Sequence, residues 1–475
     1  MRRRALEGAS LNAAHSFDLS ILREYDVRGV FGKTLGPDDA RAIGRSFASV
    51  VRRGGGARIA VGYDGRTSSP TLEAALVEGI VAAGVDAVRI GLSTSPMLYF
   101  AEATGADIDA AVEVTGSHNP RDHNGFKFVL RGGPFFGSDI TALGMLAAAG
   151  DWEKGNGACE DRDVLHAYVA RLIQALDGLD VGGLRNLRIG WDAGNGAAGP
   201  AVEALVRLLP GQHHVLFSEV DGTFPNHHPD PTIDANLADL RALVEREALD
   251  FGVAFDGDAD RIGVIDGKGR AIAGDQLIGL FAEDLLLRRP GTAVIADVKA
   301  SAMLFERVAA LGGDPVMWKS GHSHIKAKMK ETGALLGGEM SGHVFFADEY
   351  YGYDDGLYAA VRLMAAVARA GNSVTSMREA MPQTMSTPEI RFEVAGQRKF
   401  AIVEEVRARL ASQPVRVNDI DGVRVDSPDG WWLLRASNTQ DALTARAESS
   451  TQSGLARLLA HLDQELALSG SERPL

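Results

Sequence analysis

The chain has a single cysteine, Cys159, in 475 residues, so no internal disulfide can form and a reducing compartment is expected. Long apolar runs are missing as well: no uninterrupted stretch approaches the roughly 18 residues that span a bilayer. The basic start Met1-Arg2-Arg3-Arg4 is followed by Glu7, Ser10, Asn12 and His15 rather than by an apolar segment, which gives no reason to expect a secretory signal. Positive charge is in deficit, with 49 Lys and Arg against 63 Asp and Glu and a formal net charge of −14. No basic face stands out, so nucleic acid is not an expected partner, and an anionic substrate would need a locally basic site. A cytoplasmic protein without membrane partners is expected, as a monomer, with a dimer as the alternative.

What is present has an ordinary globular composition, 45% hydrophobic and 24% charged, in a chain too long for one core. About three or four domains are expected. Past a poorly patterned stretch to Ser16, the spacing of apolar residues predicts a helix from Pro37 to Val51, stopped by Gly54-Gly55-Gly56. Then come a strand from Arg58 to Val61, a turn Gly62-Tyr63-Asp64-Gly65-Arg66, and a helix opened by Ser69-Pro70 that runs to Ala83. A strand from Ala87 to Ile90 and a third helix follow. This alternation indicates βαβ units and a largely parallel sheet. The arrangement recurs from Leu187 to Asn195, with a helix near Pro200, and again from Ala293 to Lys299, with a helix through Leu311.

Each unit later yields a strand–loop–strand whose loop is rich in reactive side chains. The first is Thr115-Gly116-Ser117-His118-Asn119-Pro120, between the apolar run Ala110 to Val114 and a strand from Gly125 to Val129 that contains Lys127. The second is Asp256-Gly257-Asp258-Ala259-Asp260-Arg261, between strands Phe251 to Phe255 and Ile262 to Ile265. The third is Gly338-Glu339-Met340-Ser341-Gly342-His343, between Ala334 to Leu336 and Val344 to Phe346. The fold class is therefore α/β: three similar mixed-sheet domains around a central cleft, plus a smaller C-terminal α+β domain. The last domain has a helix from Gln397 to Leu410, a strand from Asp421 to Val425, a turn at Pro428-Asp429-Gly430, a strand from Trp431 to Leu434 and a final helix from Gly454 to Leu468. The expected divisions are 1–166, 167–270, 271–384 and 385–475.

The loops carry distinct chemistries. Gly116, Asn119 and Pro120 force irregular backbone, setting Ser117 and His118 at a strand's end, where a hydroxyl beside an imidazole suits nucleophilic chemistry or a simple cap. Asp256, Asp258 and Asp260 crowd three carboxylates that repel one another unless a divalent cation holds them, and Mg²⁺ suits oxygen ligands, with an acidic solvated hairpin as the alternative, against which the adjoining Arg261 argues. An EF-hand is excluded, because its sixth and twelfth positions would be Arg261 and Gly267 rather than Gly and Glu. Arg435-Ala436-Ser437-Asn438-Thr439 offers a guanidinium and short donors for a phosphate, although alone it fits a polar turn equally well. Glu339, Ser341 and His343 suit sugar hydroxyls. Lys299 and His322 fall in loops after strands, positions also open to ordinary surface residues.

Together these motifs, with Tyr25-Asp26-Val27-Arg28-Gly29, resemble the α-D-phosphohexomutases, and within them the bacterial phosphomannomutase/phosphoglucomutase type. The resemblance spans nearly the whole chain, with five motifs in the family's order. It implies that Ser117 is carried as phosphoserine, that Ser117, Asp256, Asp258 and Asp260 hold one Mg²⁺, and that a hexose 1,6-bisphosphate is both intermediate and activator. It further implies that Glu339 and Ser341 bind sugar hydroxyls and that Arg435, Ser437, Asn438 and Thr439 hold the non-reacting phosphate. Tyr25, Arg28, His118, Lys127, Arg261, Lys299, His322 and His343 would line the cleft, with Lys299 and His343 as acid–base candidates. Phosphoserine (about −2), three carboxylates and the metal leave roughly −3 before a bisphosphate adds about −4 more, which the cleft's bases would offset. A phosphatase needs one phosphate site, whereas a donor plus a separate clamp suits a mutase. Phosphoglucosamine mutase is the nearest alternative, and a Mg²⁺-dependent sugar phosphatase the next. One departure stands out: Gln440-Asp441 follow Thr439 where relatives often have a proline nearby.

Overall fold

The computed structural model describes residues 14–131, 133–394, 396–437 and 441–474. Asn438 and Thr439, and the N-terminal segment 1–13, lie outside the described residues.

The first long helix starts and stops where the local chemistry directs. Pro37–Arg53 has proline in its first turn, Asp38 and Asp39 beside its positive end, and Arg52 and Arg53 beside its negative end. The strands Ala110–Val114 and Phe251–Phe255 are buried at every position, as expected of sheet interiors covered on both faces.

The first sheet runs in the order Val27–Val30, His123–Leu130, Ala110–Val114, Arg58–Tyr63, Asp86–Leu92, Cys159–Asp161, with Gly133–Pro134 on the flank of His123–Leu130. It is parallel from Ala110–Val114 to the Cys159–Asp161 edge and antiparallel on the other side. Arg58–Tyr63 pairs parallel with Asp86–Leu92 and Ala110–Val114, but Ala110–Val114 and His123–Leu130 are antiparallel. The expectation of a largely parallel sheet is corrected here, because the link from Val114 to His123 is too short for a crossover and must turn back as a hairpin. The second sheet repeats the plan: Arg188–Asp192 pairs parallel with Gln212–Leu216 and Phe251–Phe255, and Ile262–Asp266 returns antiparallel. So does the third, with Ala293–Asp297 parallel to Asp314–Trp318 and Leu336–Gly338, and Val344–Phe346 antiparallel. In every case the hairpin loop is the reactive loop. The third hairpin starts later than the expected Ala334, since its ladder begins at Leu336 opposite Val294. Gly338 in that strand lets the sheet approach Ile278, which a Cβ would meet at 2.5 Å.

Among the described residues the fourth domain has a six-stranded antiparallel sheet centred on Gly430–Ala436 and Ala442–Ser449, with helices Arg398–Leu410 and Gln452–Leu468. It docks beside the third sheet through buried charge: Arg424 lies 3.7 Å from the Trp431 ring centroid and donates to the carbonyls of Val298 (2.6 Å) and Ala300 (2.7 Å). Glu448 accepts from Ser301 Oγ at 2.8 Å. These bonds bracket Lys299. One apolar cluster runs from Val88 in the first sheet through Trp191 and Phe255 to Phe346 and Tyr358, joining three sheets in one core. No described helix is long and apolar enough to cross a membrane.

Within that core Asp355 accepts from Tyr168 Oη (3.0 Å), Tyr350 Oη (2.8 Å) and the Tyr358 N–H (2.8 Å). Burial pushes its carboxyl up to about 7 in spite of these donors. The folded chain therefore holds this proton where the unfolded chain has lost it, and stability attributable to Asp355 falls as pH rises from about 4 to about 7. Asp355→Asn should remove that slope. Its melting temperature relative to the parent should rise between pH 5 and pH 8, by an amount reflecting a few kcal/mol, on the order of the shift itself. Parallel melting profiles across that range would contradict it.

Candidate active site

Ser117 sits at φ +46, a left-handed conformation that costs a non-glycine residue about 1–2 kcal/mol and so must be held by its surroundings. Its N–H donates to Thr115 Oγ1 (2.8 Å), and its buried hydroxyl donates to Asp256 Oδ2 (2.7 Å) with His118 Nδ1 3.2 Å away. Gly257 of the carboxylate loop packs so closely that a Cβ would lie 2.5 Å from the Ser117 carbonyl oxygen. The first and second reactive loops are thus in direct backbone contact. Burial, and then the charges of Arg261 and Arg28, push the His118 imidazole well below its usual range, leaving it neutral beside the hydroxyl.

Asp256, Asp258 and Asp260 are fully buried, and one oxygen of each comes within 4.8 Å of the others. Asp258 Oδ1 has no hydrogen-bond partner among the described residues, and Asp260 Oδ1 faces His343 Nε2 at 3.3 Å. A buried carboxylate oxygen left without a donor is costly, and a hard divalent cation is what the donor set fits. Lys127 bonds the other side of the cluster, with Nζ 2.6 Å from Asp258 Oδ2 and 2.5 Å from Asp260 Oδ2. Burial and mutual repulsion raise Asp256 well above the usual carboxylate range; against the same burial, Lys127 and His343 hold Asp260 well below it. A second group, Asp260, His343 and Asp354, also converges within 4.8 Å. There the Lys326 ammonium, 3.0 Å from Asp354 Oδ1, already supplies positive charge.

The third loop joins the second through backbone. Arg261 and His343 form an isolated antiparallel bridge, and Ile262 N donates to the Gly342 carbonyl at 3.0 Å. His343 Nδ1 lies 2.9 Å from Glu339 Oε2 and 3.1 Å from Ser341 Oγ; its Nε2 lies 3.3 Å from Asp260 Oδ1. Burial disfavours the imidazolium, but Asp260 and Glu339 outweigh it and push His343 up to about 9, so it is protonated at neutral pH. Glu339, despite burial, is held down at about 2, chiefly by His343. His322 opens the helix His322–Thr332, its ring 5.7 Å from that of His343 and 5.9 Å from Tyr25. Burial and Lys326 push it well below its usual range.

A chain of contacts ties in the fourth domain. Tyr25 Oη donates to the Ser320 carbonyl (2.9 Å), Ser320 N donates to Asp421 Oδ2 (3.0 Å), and Arg435 Nε donates to the same Asp421 oxygen (3.1 Å). Ser437, two residues after Arg435, is buried as well. Lys299 Nζ lies 3.2 Å from Glu389 and 3.5 Å from Asp297, and these acids, against burial, raise it and keep it charged. Arg28 is buried against Asp26, with one guanidinium nitrogen, Nη1, lacking a hydrogen-bond partner among the described residues.

The structure also brings in residues that sequence reasoning passed over. Ser95 donates to Asp258 Oδ2 at 2.6 Å, although it looks like an ordinary helix-start residue. Asp354 faces His322 at 3.6 Å, and Asp421 and Glu389 pair with Arg435 and Lys299. Each lies 14 or more positions from its partner, so no short motif spacing signals it. Asp64-Gly65-Arg66, by contrast, was visible as a polar turn at a strand's end.

A hydroxyl set against clustered carboxylates and ringed by arginine and lysine suits phosphoryl transfer, and this places the chain in the class of multidomain α/β phosphotransferases. Comparison with known proteins narrows the class. Models of phosphoglucomutase/phosphomannomutase α/β/α domains I, II and III match residues 20–150, 166–269 and 273–385, and the model of the C-terminal domain matches 389–465. A phosphomannomutase/phosphoglucomutase of Pseudomonas aeruginosa is 42% identical over 461 residues, covering 97% of this chain and 98% of that protein. A phosphoglucomutase of Neisseria gonorrhoeae is 40% identical over 447 residues, covering 93% and 96%. The crystal structure of a phosphoglucomutase/phosphomannomutase family protein from Burkholderia thailandensis superposes with a TM-score of 0.90 at 42% identity, covering 97% of this chain and all of that one. The chain belongs to the phosphoglucomutase/phosphomannomutase family.

Proposed function

We propose that this enzyme interconverts hexose 1-phosphate and hexose 6-phosphate, of mannose, glucose or both, through phosphorylated Ser117 and a bound hexose 1,6-bisphosphate. The observation that carries the reading is the Ser117 hydroxyl 2.7 Å from Asp256, at the edge of a buried three-carboxylate cluster in which Asp258 Oδ1 has no hydrogen-bond partner among the described residues. The relatives' names agree with it. Asp256, Asp258, Asp260 and the phosphorylated Ser117 would hold one Mg²⁺, which would offset phosphoryl charge.

In the forward half-reaction the Oγ–P bond of phosphoserine breaks and a bond forms from phosphorus to a sugar hydroxyl oxygen. The hydroxyl proton leaves to a base, and Ser117 Oγ takes up a proton. The bisphosphate then turns, and the other phosphoryl group returns to Ser117. Lys299 and His343 are the acid–base candidates for these two proton transfers, and the acids beside them favour the charged form of each. Lys127, Arg28, Arg261 and neutral His118 line the reacting phosphate, with Tyr25 and His322 further along the cleft. Glu339 and Ser341 address sugar hydroxyls, and Arg435, Ser437, Asn438 and Thr439 hold the second phosphate. Asp421 would share Arg435 with that phosphate. We place the domain divisions at 166/167, 270/271 and 384/385, the protein in the cytoplasm, and its working form as a monomer.

Phosphorus NMR tests the reading. With Mg²⁺ and a trace of glucose 1,6-bisphosphate, glucose 1-phosphate and mannose 1-phosphate should convert to their 6-phosphates with no matching rise in free phosphate. Turnover of glucosamine 1-phosphate alone would assign the phosphoglucosamine specificity instead, and free phosphate as the main product would make the enzyme a phosphatase.

A further inference from the structure

The turn Asp64-Gly65-Arg66 has no part in the roles assigned above, yet it grips the Ser117 loop more fully than any of them. The Arg66 side chain is 0% exposed and spends all five of its N–H donors. Nε donates to Asp64 Oδ2 (3.2 Å), Nη1 to the carbonyls of Pro120 (2.6 Å) and His123 (3.0 Å), and Nη2 to those of Ser117 (2.6 Å) and Asn119 (2.6 Å). Asp64 takes the other half of the loop, accepting from Thr115 Oγ1 (2.8 Å) and Gly116 N (2.9 Å), and it is braced by Ser69 Oγ (2.6 Å). The fit is tight enough that a Cβ on Gly116 would lie 2.1 Å from Arg66 Nε. From the second domain, the Phe224 ring covers the guanidinium at 5.3 Å.

We propose that Arg66 is a positioning residue for phosphoryl transfer. Its bonds hold the loop in the φ +46 geometry that aims the phosphoryl group of Ser117 at the sugar hydroxyl rather than leaving it open to water. Four carbonyl dipoles that would repel a phosphoryl dianion end instead on a cation, and the cation's own charge is shared with Asp64. Lysine cannot substitute, because an ammonium has three donors where the loop and Asp64 use five. The inference rests on Ser117 being the phosphoryl carrier. Transfer and leakage are then one bond change with two acceptors. The Oγ–P bond breaks, phosphorus bonds to a sugar oxygen or to a water oxygen, the acceptor's proton leaves to a base, and Ser117 Oγ is reprotonated. With water the product is inorganic phosphate.

The test compares the full-length parent, Arg66→Lys and Asp64→Asn, each with Mg²⁺ and glucose 1,6-bisphosphate. Intact mass reads the adduct on Ser117, melting temperature reads the fold, and glucose 1-phosphate turnover and free phosphate are followed in the same samples. All three should carry one phosphoryl group. In Arg66→Lys, kcat should fall about a hundredfold with KM within about threefold, and the fraction of phosphoryl groups lost to water should rise about tenfold. Asp64→Asn, a milder change, should show the same split and decides the matter should Arg66→Lys not fold. A kcat within about threefold of the parent in the folded variants overturns the positioning role, as does a loss carried wholly by KM. A parent that takes no adduct at all refutes the carrier reading itself, a result distinguishable from both.

Discussion

Removing divalent cations with a chelator is expected to lower turnover about a thousandfold or more, and Asp258→Asn to do the same in excess Mg²⁺. Among the described residues buried Asp258 Oδ1 has no hydrogen-bond partner and Asp260 Oδ1 meets His343 Nε2 at 3.3 Å, while the opposite oxygens are tied to Lys127 and, for Asp258, to Ser95. Such a division leaves one face of the cluster for a cation and fixes the other. Asparagine at 258 keeps the volume and the Ser95 bond but removes a negative charge from a site that must bind a dication against the pull of Lys127. Restoring Mg²⁺ should therefore recover the chelated parent fully and the variant hardly at all. Undiminished turnover in chelator, with metal content verified, would contradict the assignment.

Ser117→Ala is expected to lower kcat by about four orders of magnitude or more, since no other side chain replaces the phosphoryl carrier. His118 is adjacent, but it is held neutral and makes its contact with the very hydroxyl that is lost. Ser117→Gly separates chemistry from strain. Glycine relieves the positive φ, so this variant should melt no lower than the alanine variant and yet be equally inactive. Recovery of activity in Ser117→Gly would mean that the turn matters for its shape and not for its hydroxyl.

The plan of the molecule was legible in the sequence wherever local patterning determines it. Ala110–Val114, Phe251–Phe255 and Val344–Phe346 fall where the apolar runs put them, and the loops after Val114 and Phe255 were readable because glycine, proline and alternating aspartates interrupt those runs. Sheet sense was less legible, since parallel or antiparallel pairing depends on connection length as well as on the βαβ rhythm. The Leu336–Gly338 strand was displaced because its two glycines look like a turn until their packing against Ile278 and Met329 is seen. At the site, residues carrying their own chemical signature were found, whereas those acting through a partner were not. Ser95, Asp354 and Asp421 pair with Asp258, Lys326 and Ser320 from other segments, and only the folded chain makes those pairs. Arg66 belongs with them: its turn was visible, but its hold on four loop carbonyls was not.

The central claim, that Ser117 reversibly carries the phosphoryl group exchanged between two sugar positions, is tested most directly with glucose 1,6-bisphosphate bearing a labelled phosphoryl group. The enzyme with Mg²⁺ should acquire one label, confined after digestion to the peptide containing Ser117, and added glucose 6-phosphate should remove it into sugar bisphosphate. Label on a different residue, label retained in Ser117→Ala, or label discharged only as free phosphate would contradict it.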